Sequence, residues 1–201
     1  MIWMKATGPR FRVQFRRKRE GKTDYAHRLK MLRSGKPRMV VRVSLKHISA
    51  QIIKVSSAGD ITLASAHSKH LEELGWKNGT SNLPSAYLVG LLCGYRAIKA
   101  GVKEAAFDIG MNHPTKGGRI FAALKGAIDS GLQIPHSEEI LPSDERVSGS
   151  NISEYAEKLK NEDEKAYASR FSRYLSRGLN PEEIPNHFNS VKQEIIKQFG
   201  G

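Results

Sequence analysis

Cysteine is almost absent from this 201-residue chain: Cys93 stands alone. No internal disulfide can form, and no thiolate cluster exists to hold zinc. Long apolar runs are missing too. The richest stretch, AYLVGLLCGYRAI (residues 86–98), is interrupted by Arg96 and falls short of the ~20 residues a helix needs to cross a bilayer. The opening MIWMK has neither the apolar stretch nor the cleavage site of a secretion signal. A soluble, intracellular protein is expected. Cys93 lies among Gly and Ala in a helical pattern, where a packed thiol is expected rather than a nucleophile.

Acidic residues are scarce in one place only. Residues 1–47 hold 15 Lys/Arg against 2 Asp/Glu, whereas residues 48–201 hold 18 of each. The whole net charge of +13 therefore sits in the first quarter of the chain. Concentrated charge creates a local field that attracts a polyanion. Nucleic acid fits better than an anionic membrane, because the basic run lacks a continuous apolar face.

Residues 5–22 read as an extended basic arm. Phe11, Val13 and Phe15 alternate with Arg10, Arg12, Gln14 and Arg16. Such a segment cannot bury enough surface to fold alone, so it is expected to order on a partner. Thr23 then reads as the N-cap of a helix with Tyr25, Leu29 and Leu32 docked on the body. His27, Arg28, Lys30 and Arg33 face outward, and Ser34-Gly35 ends the helix before Pro37.

Alternation in RMVVRVSL, ISAQIIKV and ITLASA, with short links, predicts an antiparallel meander. SKHLEELGW is a short helix. A long apolar helix starts near Asn82 with Pro84 in its first turn and ends at Gly101. Ala86, Gly90, Cys93, Gly94 and Ala97 form a stripe of small side chains that permits close backbone approach. EAAFDIG is a fourth strand, KGGRIFAALKGAIDSG a helix with Phe121, Leu124 and Ile128 inward, and LQIP a candidate last strand. Strand, helix, strand in this order predicts a mixed sheet with packed helices, an α/β fold. Three parts follow: arm and short helix (1–37), mixed α/β core (38–135), and a helical C-terminal extension (136–201). In the extension two or three helices are expected to pack on neighbours more than on a core of their own.

Signals for catalysis are weak. GMNHPTKGGRIF fails the spacing of a nucleotide phosphate loop. Its Gly-rich turn at a helix start, with Lys116 and Arg119, can still meet an RNA phosphate. His67 and His70 lack a third metal ligand nearby in sequence. Asp60, Asp108 and Asp129 are scattered, and no paired-carboxylate signature supports a nuclease. No catalytic residue, metal or cofactor is expected.

The arm is the strong signal, since Arg pairs with phosphate and both Arg and aromatic rings stack on exposed bases. The expected RNA contacts are Arg10, Phe11, Arg12, Phe15, Arg16, Arg17, Lys18, Arg19, Lys22 and Tyr25 in the arm and helix start. Arg28, Lys30, Arg33, Lys36 and Arg38 extend them, joined by Arg42, Lys46 and His47 on the first hairpin and by Lys116 and Arg119.

ATGPRFRVQFRRKREGKTDYAHRLKMLRSGKPRMVVRVS resembles the opening of large-subunit ribosomal protein eighteen in its archaeal and eukaryotic form, numbered five in eukaryotes. The likeness continues through HISAQII, TLASAHS, NLPSAYLVGLL, DIGMNHPTKGGRIFAALKGAIDSGLQIPHS, NISEYAEKL and RFSRYLSRGLNPEEIPNHF, nearly the whole chain. Two departures appear. The family's usual start falls near Met4, so Met1–Trp3 is expected to be an upstream extension or a start-site choice without a role of its own. Phe11 and Gln14 replace the family's frequent Tyr and Pro. The lack of long eukaryotic extensions favours an archaeal source. The resemblance implies a ribonuclease-H-like topology without catalytic carboxylates. It also implies a structural, non-enzymatic, cytoplasmic ribosomal protein that attaches 5S rRNA to 23S rRNA in the central protuberance. Neighbouring large-subunit proteins, but no membrane and no small-molecule substrate, would be its partners. An RNA-processing or chaperone factor outside the particle, and a nuclease on the same topology, are the competing classes.

Overall fold

Hydrophobic alternation at the middle of the chain produces the meander that the sequence predicts. The computed structural model describes residues 8–200. Met1–Trp3, expected to be an upstream extension or a start-site choice, and the first residues of the arm lie outside the described residues. A single helical turn, α1 (Arg16–Arg19), and a two-turn helix, α2 (Tyr25–Leu32), precede the sheet. Strands β1 (Arg38–Val43), β2 (Ile48–Ser56) and β3 (Gly59–His67) run antiparallel, and β4 (Ala106–Asp108) joins β1 in parallel. The sheet order is β3-β2-β1-β4, with an irregularity in β2 between Ile52 and Ile53. LQIP forms no strand. It contributes one isolated parallel bridge, Glu104 with Gln133, because the pairing is not continued beyond that point.

Helix α3 (Ser68–Glu73) leads to the long helix α4 (Leu83–Lys99). Asn82 Oδ1 accepts from Ser85 N at 3.0 Å and caps α4, with Pro84 in the first turn. Helix α5 (Arg119–Asp129) packs along α4. Between them the small stripe does what its composition requires. A Cβ on Gly90 would collide with the Ala123 carbonyl, and one on Gly126 with the Tyr87 carbonyl. The two backbones touch at these points, and Met39, Val41, Ile48, Ala50 and Ile52 of the sheet close the same core. Cys93 is fully buried there, and burial pushes its thiol up to about 12, which leaves it unreactive. Gly126→Val is expected to lower stability by about 3 kcal/mol or more, since both contacts are backbone and cannot yield. An unchanged urea midpoint would contradict this packing.

The C-terminal segment holds five helices rather than two or three: α6 (Asp144–Ser148), α7 (Ser150–Glu162), α8 (Glu164–Arg170), α9 (Ser172–Leu175) and α10 (Ile184–Phe199). Ala156, Tyr167 and Phe171 form a small separate cluster. The last helix, however, returns to the main core through Phe188, Val191 and Ile195. Its apolar stripe at helical spacing needs a buried face, and α4 supplies it.

Candidate nucleic-acid interface

Residues 8–22 contain no buried side chain. Arg16–Arg19 wind into one turn where an extended segment was expected. Glu20 explains this: its carboxylate takes Arg16 at 2.8 Å, four residues back, and Lys22 at 2.8 Å. These two cations hold the Glu20 carboxyl below its usual range. Arg17 Nε donates to Thr23 Oγ1 at 2.9 Å. Thr23 is therefore not the N-cap of α2. Asp24 is, accepting from Ala26 N at 2.9 Å and His27 N at 3.1 Å, because its carboxylate reaches both amides while the Thr23 hydroxyl is engaged. Arg10, Arg12, Lys18 and Arg19 are exposed and make no ion pair among the described residues. Phe11 is half-buried, whereas Phe15 is 72% exposed with only Tyr25 against it, ring centroids 5.2 Å apart. An exposed aromatic pair beside guanidinium groups is a surface on which bases can stack.

Helix α2 lies over the sheet face opposite α4 and α5, and there the structure departs from the expected outward cationic stripe. Arg28 Nη2 donates to both Asp60 oxygens, at 2.9 and 2.8 Å. Leu29, expected to dock, is instead 55% exposed. The docked residues follow Arg28 rather than the apolar stripe, because Asp60 fixes the rotation of the helix. Beneath it, Arg38 is 96% buried. Its Nη1 donates to Asp108 Oδ2 at 2.8 Å and its Nη2 to Asp60 Oδ2 at 3.0 Å. Arg38 is thus buried and paired within the fold, where an RNA contact was expected. Asp60 and Asp108, expected to be scattered, share this one guanidinium; Asp129 lies apart and accepts from Tyr87 OH at 2.6 Å. Cations occupy the space between the two carboxylates. Among the described residues no group of three His, Cys, Asp or Glu could hold a metal ion.

Arg42 bridges the network and the surface. Its Nη1 donates to the Val41 and Asp108 carbonyls at 2.8 and 3.0 Å, and its side chain stays 43% exposed. A cleft of about 250 Å³ opens here between Arg17, Lys22, His27, Arg28 and Arg42. Lys30 and Arg33 are exposed on α2. Lys36 pairs with Glu104 at 2.6 Å, so it is partly neutralised. On the far side of β1, Lys46 is exposed, while His47 Nδ1 sits 3.0 Å from Ser68 Oγ and is half-buried. Lys116 pairs with Glu139 at 3.1 Å, and Arg119 Nη1 donates to Ser81 O and Oγ at 2.9 and 2.8 Å. The arm, α2 and Arg42 therefore form one surface. Lys46 and His47 stand elsewhere, and Lys116 and Arg119 have local partners.

Cations that the sequence did not single out gather with Lys46: Lys77, Arg173 and Arg177 line a groove of about 700 Å³. The available signal was local. Residues 136–201 hold 9 Lys/Arg against 12 Asp/Glu, yet residues 165–181 hold four Lys/Arg and no acid.

Three histidines act as hydrogen-bond acceptors to backbone amides. His67 Nδ1 accepts from Lys69 N at 3.2 Å and His70 Nδ1 from His67 N at 3.2 Å, capping α3. His187 Nε2 accepts from Lys77 N at 3.0 Å and stacks on Trp76. Burial, then neighbouring cations, lowers both His67 and His187 below the ordinary imidazole value. The unfolded chain then binds protons more readily than the folded one. Their contribution is complete above the unfolded value near pH 6.5 and is lost as pH falls through the lowered folded values. The urea midpoint is expected to drop between pH 7.5 and 5, and His187→Gln should shrink that drop. A midpoint that rises on acidification would contradict it.

Two comparisons bear on this surface. The family described as "Ribosomal large subunit proteins 60S L5, and 50S L18" matches residues 9–105 and 99–137. The chain is similar to the large ribosomal subunit protein uL18 of Methanothermobacter thermautotrophicus, 53% identical over 193 residues, covering 96% of this chain and 99% of the relative.

Proposed function

Because the chain belongs to the family of large-subunit ribosomal proteins 60S L5 and 50S L18, we propose that it binds 5S rRNA and attaches it to 23S rRNA in the central protuberance. Membership makes it a structural constituent of the large subunit, with rRNA and ribosomal proteins as partners, and not an enzyme. Within residues 1–37 the arm neutralises phosphates through Arg10, Arg12, Arg16, Arg17, Lys18, Arg19 and Lys22. Lys30, Arg33 and Arg42 continue the contact, and Phe11, Phe15 and Tyr25 supply stacking faces. Arg28 and Arg38 hold α2 to the sheet and so aim the arm.

The observation that carries this assignment is the exposed run of cations from Arg10 to Lys22, where Glu20 is the one carboxylate. Ion pairs on so exposed a surface are worth little, so phosphates displace Glu20 readily. Phosphate contacts alone would bind any RNA. Selection therefore comes from stacking and from the fixed geometry of α2. Incubation of the full chain with an equimolar mixture of 5S rRNA and transfer RNA at 0.3 M salt is expected to retain 5S rRNA preferentially. Equal retention of the two would contradict the assignment.

A further inference from the structure

Three segments distant in sequence meet around the 700 Å³ groove: the β1–β2 turn at Lys46, the end of α3 at Glu72 with the loop 77–82 that follows it, and α9 with the residues after it. The groove is built by the protein's own bonds. Thr80 Oγ1 donates to Lys46 O at 2.5 Å, Ser81 Oγ to Ser44 O at 3.0 Å, and Trp76 Nε1 to Gly79 O at 3.1 Å. Trp76 is fixed in turn by His187 of α10, with rings 5.1 Å apart and nearly parallel.

Its rim is cationic. Lys46, Lys77, Arg173 and Arg177 face a single acid, Glu72. None of the four makes an ion pair among the described residues. In the wall, Asn78 is fully buried. Its Oδ1 accepts from Asn82 Nδ2 at 3.1 Å and from Gly79 N, while its Nδ2 has no partner. Tyr174, half-buried and packed edge-on with Phe171, also lines the groove.

We infer that this groove holds a second RNA segment, separate from the one taken by the arm, through phosphate contacts from Lys46, Lys77, Arg173 and Arg177. The inference rests on the proposed rRNA-binding function. A protein partner would need apolar anchors at the centre of its interface. The side chains on the rim here are mostly polar or cationic, and Leu45, 91% exposed, is the one large aliphatic among them. Cations at separate points around an open groove suit a repeating chain of phosphates. One chain then fastens two RNA segments, one through its N-terminal arm and one through its C-terminal helices.

Directed cleavage tests this in assembled large subunits. Buried Cys93 does not react, so Ser176→Cys and Ser34→Cys each place one iron-chelate tether, at the groove and beside the arm. Cleavage of rRNA from Ser176→Cys, at a segment distinct from that cut by Ser34→Cys, is expected. Cleavage from Ser34→Cys with none from Ser176→Cys, a shared segment, or cuts in a neighbouring protein alone, would overturn the groove assignment and leave the proposed function standing. No RNA cleavage from either tether would contradict the function itself. As a second measurement, R173E/R177E in the full chain is expected to flatten the log–log salt slope for rRNA by about 1.5–2, the loss of two phosphate contacts. An unchanged slope would overturn the inference.

Discussion

Asp108→Ala is expected to lower the stability of the folded chain by about 3–5 kcal/mol, a large share of the roughly 5–15 kcal/mol that holds a domain together. The Asp108 side chain is 5% exposed and receives three donors: Arg38 Nη1 at 2.8 Å, Arg42 Nη2 at 3.4 Å and Gly110 N at 2.7 Å. Removing it leaves the Arg38 guanidinium buried with one partner, Asp60, whose carboxyl is itself partly exposed. An uncompensated buried charge dominates that cost; the lost Gly110 bond adds to it. Asp60→Ala should behave differently. It releases the clamp on Arg28 but leaves Arg38 paired with Asp108, so α2 loosens while the core remains. Replacing the inner pair together, Arg38→Met with Asp108→Leu, should recover much of the loss, because both charges leave the interior at once. Denaturant unfolding of the three variants followed by far-ultraviolet dichroism separates these effects. A loss below about 1 kcal/mol for Asp108→Ala would show that the network does not hold the sheet face.

The network also explains what the sequence could and could not reveal. The sheet, α4 and α5 were legible because alternation and helical spacing are local signals, and the small stripe announced a backbone contact without naming its partner. Arg38 was not legible as a buried residue. In RMVVRV it reads as the charged end of a half-exposed strand, and its burial depends on Asp60 and Asp108, 22 and 70 residues away. The rotation of α2 escapes the sequence for the same reason. A two-turn helix with a weak apolar stripe is set by one strong ion pair, here Arg28 with Asp60. The displaced cap, Asp24 in place of Thr23, turned on a contact from Arg17 that adjacent residues cannot disclose. Arg173 and Arg177 were hidden by averaging, since the acidic helices around them cancel their charge in any long window.

The central claim is that the exposed arm, more than the folded core, supplies the electrostatic attachment to RNA. Its seven cations between Arg10 and Lys22 release about one counterion for each phosphate they meet. Removing residues 1–22 takes no buried side chain from the described part of the fold, so the truncated chain should keep its far-ultraviolet spectrum. The most direct measurement is 5S rRNA affinity of the full and truncated chains across 50–300 mM salt. The account predicts a loss of at least about 100-fold at low salt and a log–log slope shallower by about 5–6 after truncation. Equal affinity and equal slope in a correctly folded truncated chain would contradict it.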